Sequence, residues 1–500
     1  MAQVSLDDLR RDVEAFEGEL NEEFFQCYAG LKEDMCASAV YEKYSHLFTS
    51  DAIGAIREAY DSGEASDDRR WLRYLLAFST LGCLDSSVKE LTDRSMTFES
   101  QSVVTVDGEA IPYRAVPVVL RNEPDHDRRR RIFEAKLEQT RTLNEILYER
   151  MAENHRQSVA LGYKSYGDMC ASLKGVDYKG LEEEMEELLR RTEQLYLRVM
   201  DELLLDRTGL HIGDAWSYDI PFAFRGEEFD ASFKQDRLVD SFFATLKALG
   251  IEPAAYPNIT VDTEDRPKKT PRAFCAPVKV PEDIRLVIRP TGGWRDYDAF
   301  FHEGGHAWHF GSVGRDLPPE YRYLGDNSVT ESFAFLFNYL PSNPVWLKRV
   351  LEMEEAETYA RFALVSKLMF LRRYAAKLVY EMKLHHGSLS GDMSDVYKNS
   401  LQKALRFKHT EMHYLEDVDD AFYCAEYLRA WVLEGQLRKV LTDEFGDAWF
   451  QEQGAGRRLR ELWSYGQKYT ADELVKTVGY VDLDPEPVLE EIERGLAQLG

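Results

Sequence analysis

The stretch IRLVIRPTGGWRDYDAFFHEGGHAWHF, residues 284–310, holds a strand, a turn and a helix in immediate succession. Residues 284–288 alternate and are rich in β-branched side chains, which predicts a β-strand. Residues 290–293 (PTGG) are typical of a turn that ends such a strand. Residues 296–310 place apolar side chains at helical spacing, so we expect a helix that packs against the protein interior.

The predicted helix carries an H-E-x-x-H motif formed by His302, Glu303 and His306. Residues four apart on an α-helix share one face, so both imidazoles can point at one metal ion. Glu303 would then lie beside the open coordination position and could act as a general base. The alternative is a pair of core histidines that are satisfied by hydrogen bonds.

A catalytic zinc site needs a third protein ligand in addition to the two histidines. Glu331 is the best candidate, because it lies in a largely apolar predicted helix where metal coordination would offset the cost of burying a carboxylate. Ser328 and Glu331 also have the spacing of a capping box, in which Glu331 would bond only to its own helix. Asp326 is a rival ligand, although its loop-like setting favours a helix cap.

His309 lies close to His306 on the same predicted helix. The longer metzincin pattern needs Gly at position 309 and His at position 312, and this chain has His309 and Ser312 there instead. We therefore expect His309 to support the site from behind the ligands or to line the cleft.

These motifs resemble those of the thimet oligopeptidase and oligoendopeptidase F family of zinc peptidases. The similar segments are residues 273–275 (AFC), 289–292 (RPTG) and 302–306, followed by Glu331 at an interval that resembles the family's spacing. Residues 104–134 and 160–166 also resemble the amino-terminal lobe of oligoendopeptidase F. The resemblance covers most of the chain and is strongest around the metal motif.

The resemblance implies a mainly α fold of two helical lobes that flank a deep substrate channel, with a small β-sheet bordering the active-site helix. Residues 1–195 would form an amino-terminal lobe with a short β-hairpin, and residues 196–500 would form the catalytic lobe. One zinc ion per chain would be bound by His302, His306 and Glu331. The implied activity is hydrolysis of peptide bonds in short peptides, with Glu303 as the general base.

In that family, a histidine and several tyrosines of a late helix contact the substrate and the oxyanion. The corresponding candidates here are His413, Tyr423 and Tyr427, but Ala425 stands where the family has a middle tyrosine. An ordinary buried aromatic face is the alternative explanation for both tyrosines, and a core or cap histidine is the alternative for His413.

Residues 427–429 (YLR) resemble the related angiotensin-converting-enzyme group instead, and Arg429 is a candidate for binding a substrate carboxylate. Its alternative is a structural ion pair. Metallocarboxypeptidase or dipeptidyl carboxypeptidase action on the same fold therefore stays open. So do hydrolysis of a non-peptide amide and a peptide-binding homologue without turnover.

The composition argues against two classes of partner and indicates the cellular compartment. A formal net charge of -27 argues against nucleic acid and anionic membrane surfaces, because both would be repelled. The first residues show no secretory signal, and six scattered cysteines are typical of a reducing compartment, so we expect a cytoplasmic protein. The sequence makes no prediction of the oligomeric state.

Most of the chain is predicted to be helical, with long helices at residues 8–32, 127–161 and 181–205. Strand signals cluster at residues 102–120 and 276–288, and residues 253–271 are the most loop-like stretch. The strand at residues 284–288 is expected to border the cleft and to offer a free edge to an extended peptide. The basic run at residues 128–131 predicts a helix face that pairs with the protein's own carboxylates.

Overall fold

The computed structural model describes residues 5–63, 66–386 and 393–498. Its α-helices are α1 (Leu6–Tyr28), α2 (Ala37–Lys43), α3 (Ser50–Ser62), α4 (Ser66–Gln101), α5 (Val116–Asn122), α6 (His126–Ala160), α7 (Tyr166–Lys174), α8 (Tyr178–Arg191), α9 (Glu193–Thr208), α10 (Ile220–Ala223), α11 (Leu238–Ala248), α12 (Trp294–Gly311), α13 (Pro319–Tyr323), α14 (Asn327–Asn338), α15 (Pro344–Trp346), α16 (Ala356–His386), α17 (Met393–Leu405), α18 (Tyr423–Phe445), α19 (Gln453–Trp463), α20 (Ala471–Thr477) and α21 (Glu486–Gln498). Its strands are β1 (Val103–Val106), β2 (Glu109–Pro112), β3 (Ile259–Asp262), β4 (Phe274–Lys279) and β5 (Asp283–Val287). The prediction of a mainly α-helical fold with small sheets is confirmed.

The predicted long helices form with small shifts at their ends. The first two are α1 and α6, whereas the third divides into α8 and α9 at Thr192. The Thr192 hydroxyl donates to the Leu188 carbonyl at 2.8 Å and accepts a hydrogen bond from the buried Arg372 guanidinium at 2.6 Å, so it serves as a polar anchor at the junction. Among the described residues, no helix is both long enough and apolar enough to cross a membrane.

The described residues group into two compact units, each built from segments that are distant in sequence. The first unit lies within Met1–Gly82, Glu227–Leu364 and Glu426–Gly500. The second unit comprises Cys83–Gly226 and the described part of Val365–Ala425. The boundary predicted at residue 195 falls inside α9, within the second unit.

The first unit contains a three-stranded sheet in the order β3-β5-β4. Strand β5 is parallel to β3, with Ile259 opposite Ile284, and antiparallel to β4, with Cys275 opposite Leu286. The expectation of a free edge on the strand at residues 284–288 is therefore wrong, because β5 is paired on both sides. The reason is that β3 forms inside residues 253–271, which the sequence had suggested to be a loop.

The turn between β5 and α12 depends on two glycines in the left-handed region. Gly292 has φ 85° and Gly293 has φ 92°, values that other residues rarely adopt. The Asp296 carboxylate accepts a hydrogen bond from the Gly292 amide at 2.7 Å and fixes the turn to the first turn of the helix. The predicted succession of strand, turn and helix is confirmed.

Helix α12 is packed tightly on two sides through the glycines of its motif. A Cβ atom at Gly304 would overlap the Phe242 ring of α11. A Cβ atom at Gly305 would lie 2.6 Å from the Ala334 Cα and 2.7 Å from the Phe333 carbonyl oxygen of α14. Only glycine lets the backbones of α12 and α14 come this close.

The second unit contains the β1-β2 hairpin and the long helix α6. Asp107 and Gly108 both have positive φ at the hairpin turn, which is typical of an Asp-Gly pair in a tight hairpin. Val104 and Ile111 pack against Ile132 of α6 in a buried cluster. The strand signal at residues 102–120 is wrong in its later part, because residues 116–120 belong to α5, where Val116 and Leu120 are one turn apart and both buried.

The basic run at residues 128–131 pairs with carboxylates of its own unit, which confirms its prediction. Arg128 lies 3.0 Å from Glu123, and Arg131 lies 2.9 Å from Asp107. The fully buried Arg129 forms an ion pair with Asp219 at 2.9 Å. The run therefore stabilises the fold and leaves few positive charges for an external anion.

We predict that Gly305→Ala lowers the free energy of unfolding by about 1–3 kcal/mol, because the added methyl group forces α12 and α14 apart. Gly54→Ala is the matched control, since Gly54 lies inside α3 and no heavy atom is within 4 Å of the position that its added methyl group would take. That change should be neutral or stabilise by up to about 1 kcal/mol. Urea titration of both variants measures the difference, and equal effects would contradict the packing argument.

Candidate metal centre

His302, Glu303 and His306 lie on the uninterrupted helix α12, and the two imidazoles face the same side. Their ring centroids are 4.9 Å apart. The four-residue spacing has therefore placed both rings on one helix face, as the motif predicts. Both histidine side chains are largely shielded from solvent.

Helix α14 brings Glu331 to the same point. Its Oε2 atom lies 3.3 Å from the Nε2 atom of His302 and 3.6 Å from the Nε2 atom of His306. The Glu331 side chain is only 6% exposed. The structure thus joins the three residues that the sequence had proposed as ligands, although they come from two helices.

The start of α14 decides between the alternative roles of Glu331 and Asp326. Asp326 is the N-cap residue, and its carboxylate accepts a hydrogen bond from the Ser328 amide at 2.9 Å. Glu331 lies more than one turn further along and faces the histidines instead of the helix end. The prediction that Asp326 caps the helix is confirmed, and the capping box of Ser328 with Glu331 is not formed.

The donor atoms have a separation that suits a zinc ion. Two ligands about 2.1 Å from a tetrahedral ion lie about 3.4 Å apart. The distances of 3.3 and 3.6 Å from Glu331 to the two imidazole nitrogens are close to that value. Two histidines and one carboxylate, with a fourth position open, are also a ligand set of catalytic zinc sites.

Charges within the cluster shift the pKa values of its members. Burial alone would raise the pKa of Glu331, but the imidazoles of His306 and His302 outweigh it and hold that pKa well below its usual range. Burial alone would lower the pKa of His302, but the carboxylates of Glu331 and Glu303 outweigh it and raise that pKa. The imidazoles therefore stabilise the ionised form of Glu331, and the carboxylates stabilise the protonated form of His302.

Glu303 points towards the sheet, where the Cys275 amide of β4 donates a hydrogen bond to its Oε2 atom at 2.9 Å. Burial raises the pKa of Glu303, and the two histidines oppose that shift. The edge strand β4 thus fixes one oxygen of the Glu303 carboxylate.

Two polar contacts near the histidines were not predicted from the sequence. The Thr330 Oγ1 atom lies 2.8 Å from the Nδ1 atom of His306. The Asn338 side-chain amide donates to the Asp298 carboxylate at 2.6 Å and to the Asp298 carbonyl at 2.9 Å, one turn before His302. Both contacts join α12 to α14, so neither has a local signal in the sequence.

His309 is completely buried and does not face the Glu331 carboxylate. Its Nε2 atom lies 3.3 Å from the Gly466 carbonyl oxygen, and its ring packs against Phe333 with a centroid distance of 4.9 Å. Burial lowers the pKa of His309 to about 3, so the ring is neutral and Nε2 donates to that carbonyl. His309 therefore packs between α12 and α14 and is not accessible to solvent.

Tyr427 lies in the same unit as His302, His306 and Glu331. Its ring centroid is 5.6 Å from that of Phe335, and the Phe335 ring is 5.2 Å from the His302 ring. One aromatic side chain therefore separates Tyr427 from a proposed ligand. Trp431 stacks on the same Phe335 at 4.9 Å, which makes an aromatic layer beside the histidines.

His413 belongs to the second unit, where it packs edge-on against Phe133 with a centroid distance of 5.6 Å. Its Nε2 atom is 3.6 Å from the Oε2 atom of Glu416, which also accepts a hydrogen bond from Lys136 through its other oxygen at 2.7 Å. Burial lowers the pKa of His413 to about 4. Its ring is therefore neutral at physiological pH.

Tyr423, in the second unit, begins α18 directly after a strained turn. Ala421 and Phe422 both have positive φ, 51° and 57°, which is costly for residues with a side chain. The Lys174 ammonium donates to the Ala421 carbonyl at 2.6 Å, and the Ala421 amide donates to the Tyr166 hydroxyl at 2.9 Å. These contacts hold the turn from which Tyr423 starts.

Arg429 forms the ion pair that was the alternative to carboxylate recognition. Its guanidinium lies 2.9 Å from the Asp326 carboxylate and 2.7 Å from the Asp472 carboxylate. The side chain is 5% exposed. Arg429 therefore joins the N-terminal ends of α14 and α20.

A second cluster of potential ligands, in the other unit, already contains its own cation. Glu381, Asp419 and Cys424 lie close together, and the Lys377 ammonium is 2.7 Å from the Asp419 carboxylate. Burial raises the pKa of Glu381 to about 8, and the Cys424 thiol donates to this carboxyl group at 3.1 Å. Lys377 balances the charge here, so this cluster gives no reason to expect a metal.

No protein-family model matches this chain, and no curated protein matches it significantly.

We predict that Glu331→Gln weakens zinc binding by more than about 100-fold, beyond the 10–100-fold effect typical of residues that only support a ligand. Glu381→Gln is the matched control, because it changes a buried glutamate of the second cluster and should leave zinc binding unchanged. Zinc per chain would be measured by atomic emission after equilibration at fixed free zinc. Equal zinc contents in the two variants would contradict the assignment.

Proposed function

We propose that this chain is a zinc-dependent peptidase that hydrolyses peptide bonds in short peptides. The observation that carries the proposal is the convergence of His302, His306 and Glu331, in which the Glu331 carboxylate lies 3.3 and 3.6 Å from the two imidazole nitrogens, close to the ligand spacing around tetrahedral zinc. Glu303 beside them supplies the carboxylate that metal-dependent hydrolysis requires as a base. The family resemblance of the surrounding segments supports a peptide as the substrate.

In this proposal, His302, His306 and Glu331 hold the ion, and Glu303 moves the proton. When bound, zinc would lower the pKa of water to about 7 and so make a nucleophile available at neutral pH. The Cys275 amide holds the Oε2 atom of Glu303, so the second oxygen is available for the proton of the attacking water. Glu303 would then pass this proton to the leaving amine.

Strand β4 is the proposed docking edge for the substrate, in place of β5. It is an edge strand of the sheet, and its Cys275 amide points away from β5 towards Glu303. An extended peptide that added a strand at this edge would pass beside the proposed base. Pairing through backbone atoms would bind peptides with little dependence on their side chains.

Tyr427 is the proposed donor to the oxyanion. It is the one predicted late-helix candidate that shares a unit with the metal cluster, and Phe335 links its ring to that of His302. A single donor of this kind typically contributes about 3 kcal/mol to transition-state stabilisation. Tyr423 and His413 stay candidates for contacts with the substrate.

Endopeptidase action is favoured over carboxypeptidase action. A carboxypeptidase needs a cation that binds the terminal carboxylate of its substrate, and Arg429 was the residue suggested for that role. Asp326 and Asp472 both pair with Arg429, so its charge is neutralised within the protein. We therefore propose that the enzyme cleaves internal peptide bonds of its substrate.

We predict that Glu303→Gln binds zinc like the wild type but loses about 100- to 10,000-fold of its peptidase activity, because the general base is removed. A library of quenched peptides with free or amidated carboxyl termini measures this activity, and mass spectrometry locates the cleaved bonds. Internal cleavage of both forms supports the endopeptidase.

Absence of cleavage by zinc-loaded wild type would overturn the proposed function and would leave hydrolysis of another amide or peptide binding without turnover. Cleavage that requires a free carboxyl terminus would favour the carboxypeptidase alternative. A folded substrate such as native serum albumin serves as the comparison that tests the restriction to short peptides.

We predict that Tyr427→Phe lowers kcat about 100-fold and changes KM little, because the phenol acts on the transition state and the ring keeps its packing against Phe335. Tyr423→Phe is the comparison on the same helix and should lower kcat less. A larger loss in Tyr423→Phe than in Tyr427→Phe would transfer the oxyanion role to Tyr423.

A further inference from the structure

The two proposed histidine ligands must each present one ring nitrogen to the metal. Because Nε2 of His306 faces Glu331, its Nδ1 atom has to carry the ring proton when the metal is bound. A neutral imidazole interconverts between two tautomers, and only one of them leaves Nε2 free to bind. A hydrogen-bond acceptor at Nδ1 would select the binding tautomer and fix the ring plane.

Thr330 supplies such an acceptor. Its Oγ1 atom is 2.8 Å from the Nδ1 atom of His306, and the residue is only 6% exposed. Because Thr330 is buried, water cannot readily replace its hydroxyl group as the partner of the His306 Nδ1 atom. Thr330 also directly precedes Glu331, so one turn of α14 contributes both a ligand and the partner of another ligand.

Helix α14 is held in place relative to α12 by contacts that do not involve the metal ligands. Gly305 allows backbone contact near Ala334, and Asn338 donates two hydrogen bonds to Asp298 of α12. Asp326 fixes the opposite end of α14 through its cap and through Arg429. The position of the Thr330 hydroxyl is thus set by the fold before any ion binds.

We infer that Thr330 is a positioning residue of the metal centre, whose hydroxyl accepts the Nδ1 proton of His306 and thereby holds Nε2 ready for the ion. The inference rests on the proposed metal site and adds a residue that no motif of the sequence identifies. It assigns a function to a hydroxyl group that would otherwise be an ordinary buried polar atom of a helix.

Ser332 shows what an ordinary buried hydroxyl does in this helix. Its Oγ atom donates to the Val329 carbonyl of its own helix at 2.8 Å. Ser332 is fully buried and lies two residues from Thr330. It therefore provides a control in the same element with the same functional group but no contact with His306.

Competition with a chelating dye would measure the zinc affinity of the 500-residue chain and of its variants Thr330→Val, Thr330→Ala, Thr330→Ser and Ser332→Ala. Removal of the Thr330 hydroxyl should raise the zinc Kd about 10- to 100-fold, as loss of a supporting residue does in other sites. Thr330→Ser should restore a Kd within about threefold of wild type, and Ser332→Ala should leave it unchanged. The visible spectrum of the cobalt-substituted protein should change only in the Val and Ala variants.

Urea unfolding of the metal-free proteins separates this role from a purely structural one. If Thr330→Val or Thr330→Ala unfolds at the same urea concentration as the wild type but has a raised zinc Kd, the inference is supported. An unchanged Kd and cobalt spectrum in either folded variant overturns it, as does a loss of affinity in Ser332→Ala equal to that in Thr330→Ala. If the wild type itself binds no zinc, the proposed metal site fails, and the inference fails with it.

Discussion

Glu331 meets the two histidines of α12 because the backbones of α12 and α14 touch at Gly305. A Cβ atom there would lie 2.6 Å from the Ala334 Cα, so the helix separation is set by the absence of a side chain. A carboxylate has a short reach, and a wider separation would leave Glu331 in an apolar layer without the imidazoles that hold its charge. The contact of Glu331 with the histidines, the charges that they balance and the hydrogen bond between Thr330 and His306 all depend on this approach.

The parts of the fold and of the site that could be predicted are those with a local signal. Spacing along one helix places His302 and His306, and a carboxylate inside an apolar helix indicates Glu331. Thr330 has no such signal, because a threonine in a helix can bond to its own backbone and its contact with His306 depends on how two helices pack. Strand β3 pairs with the edge of β5 that was expected to be free. This pairing joins residues that are distant in sequence, and local sequence patterns do not predict it.

Each compact unit is also built from segments that are separated in sequence. The order of helices and strands along the chain therefore does not determine which of them pack together.

The two clusters of buried ligand-type residues differ in how their charge is balanced. Lys377 provides a cation beside Asp419, and Glu381 is protonated near neutral pH. In the other cluster, Glu331 is paired with two imidazoles that are ordinarily only weak bases. A buried carboxylate is therefore informative about a metal only when the residues that compensate it are also ligands.

The glycines at the third and fourth positions of the H-E-x-x-H motif carry a further consequence. These positions are usually regarded as variable, since they do no chemistry. In this protein, Gly304 lies against the Phe242 ring and Gly305 lies against the α14 backbone. Gly305 is the position that limits how closely α14 can approach α12, so a larger residue there in a related chain would place the third ligand further from the two histidines.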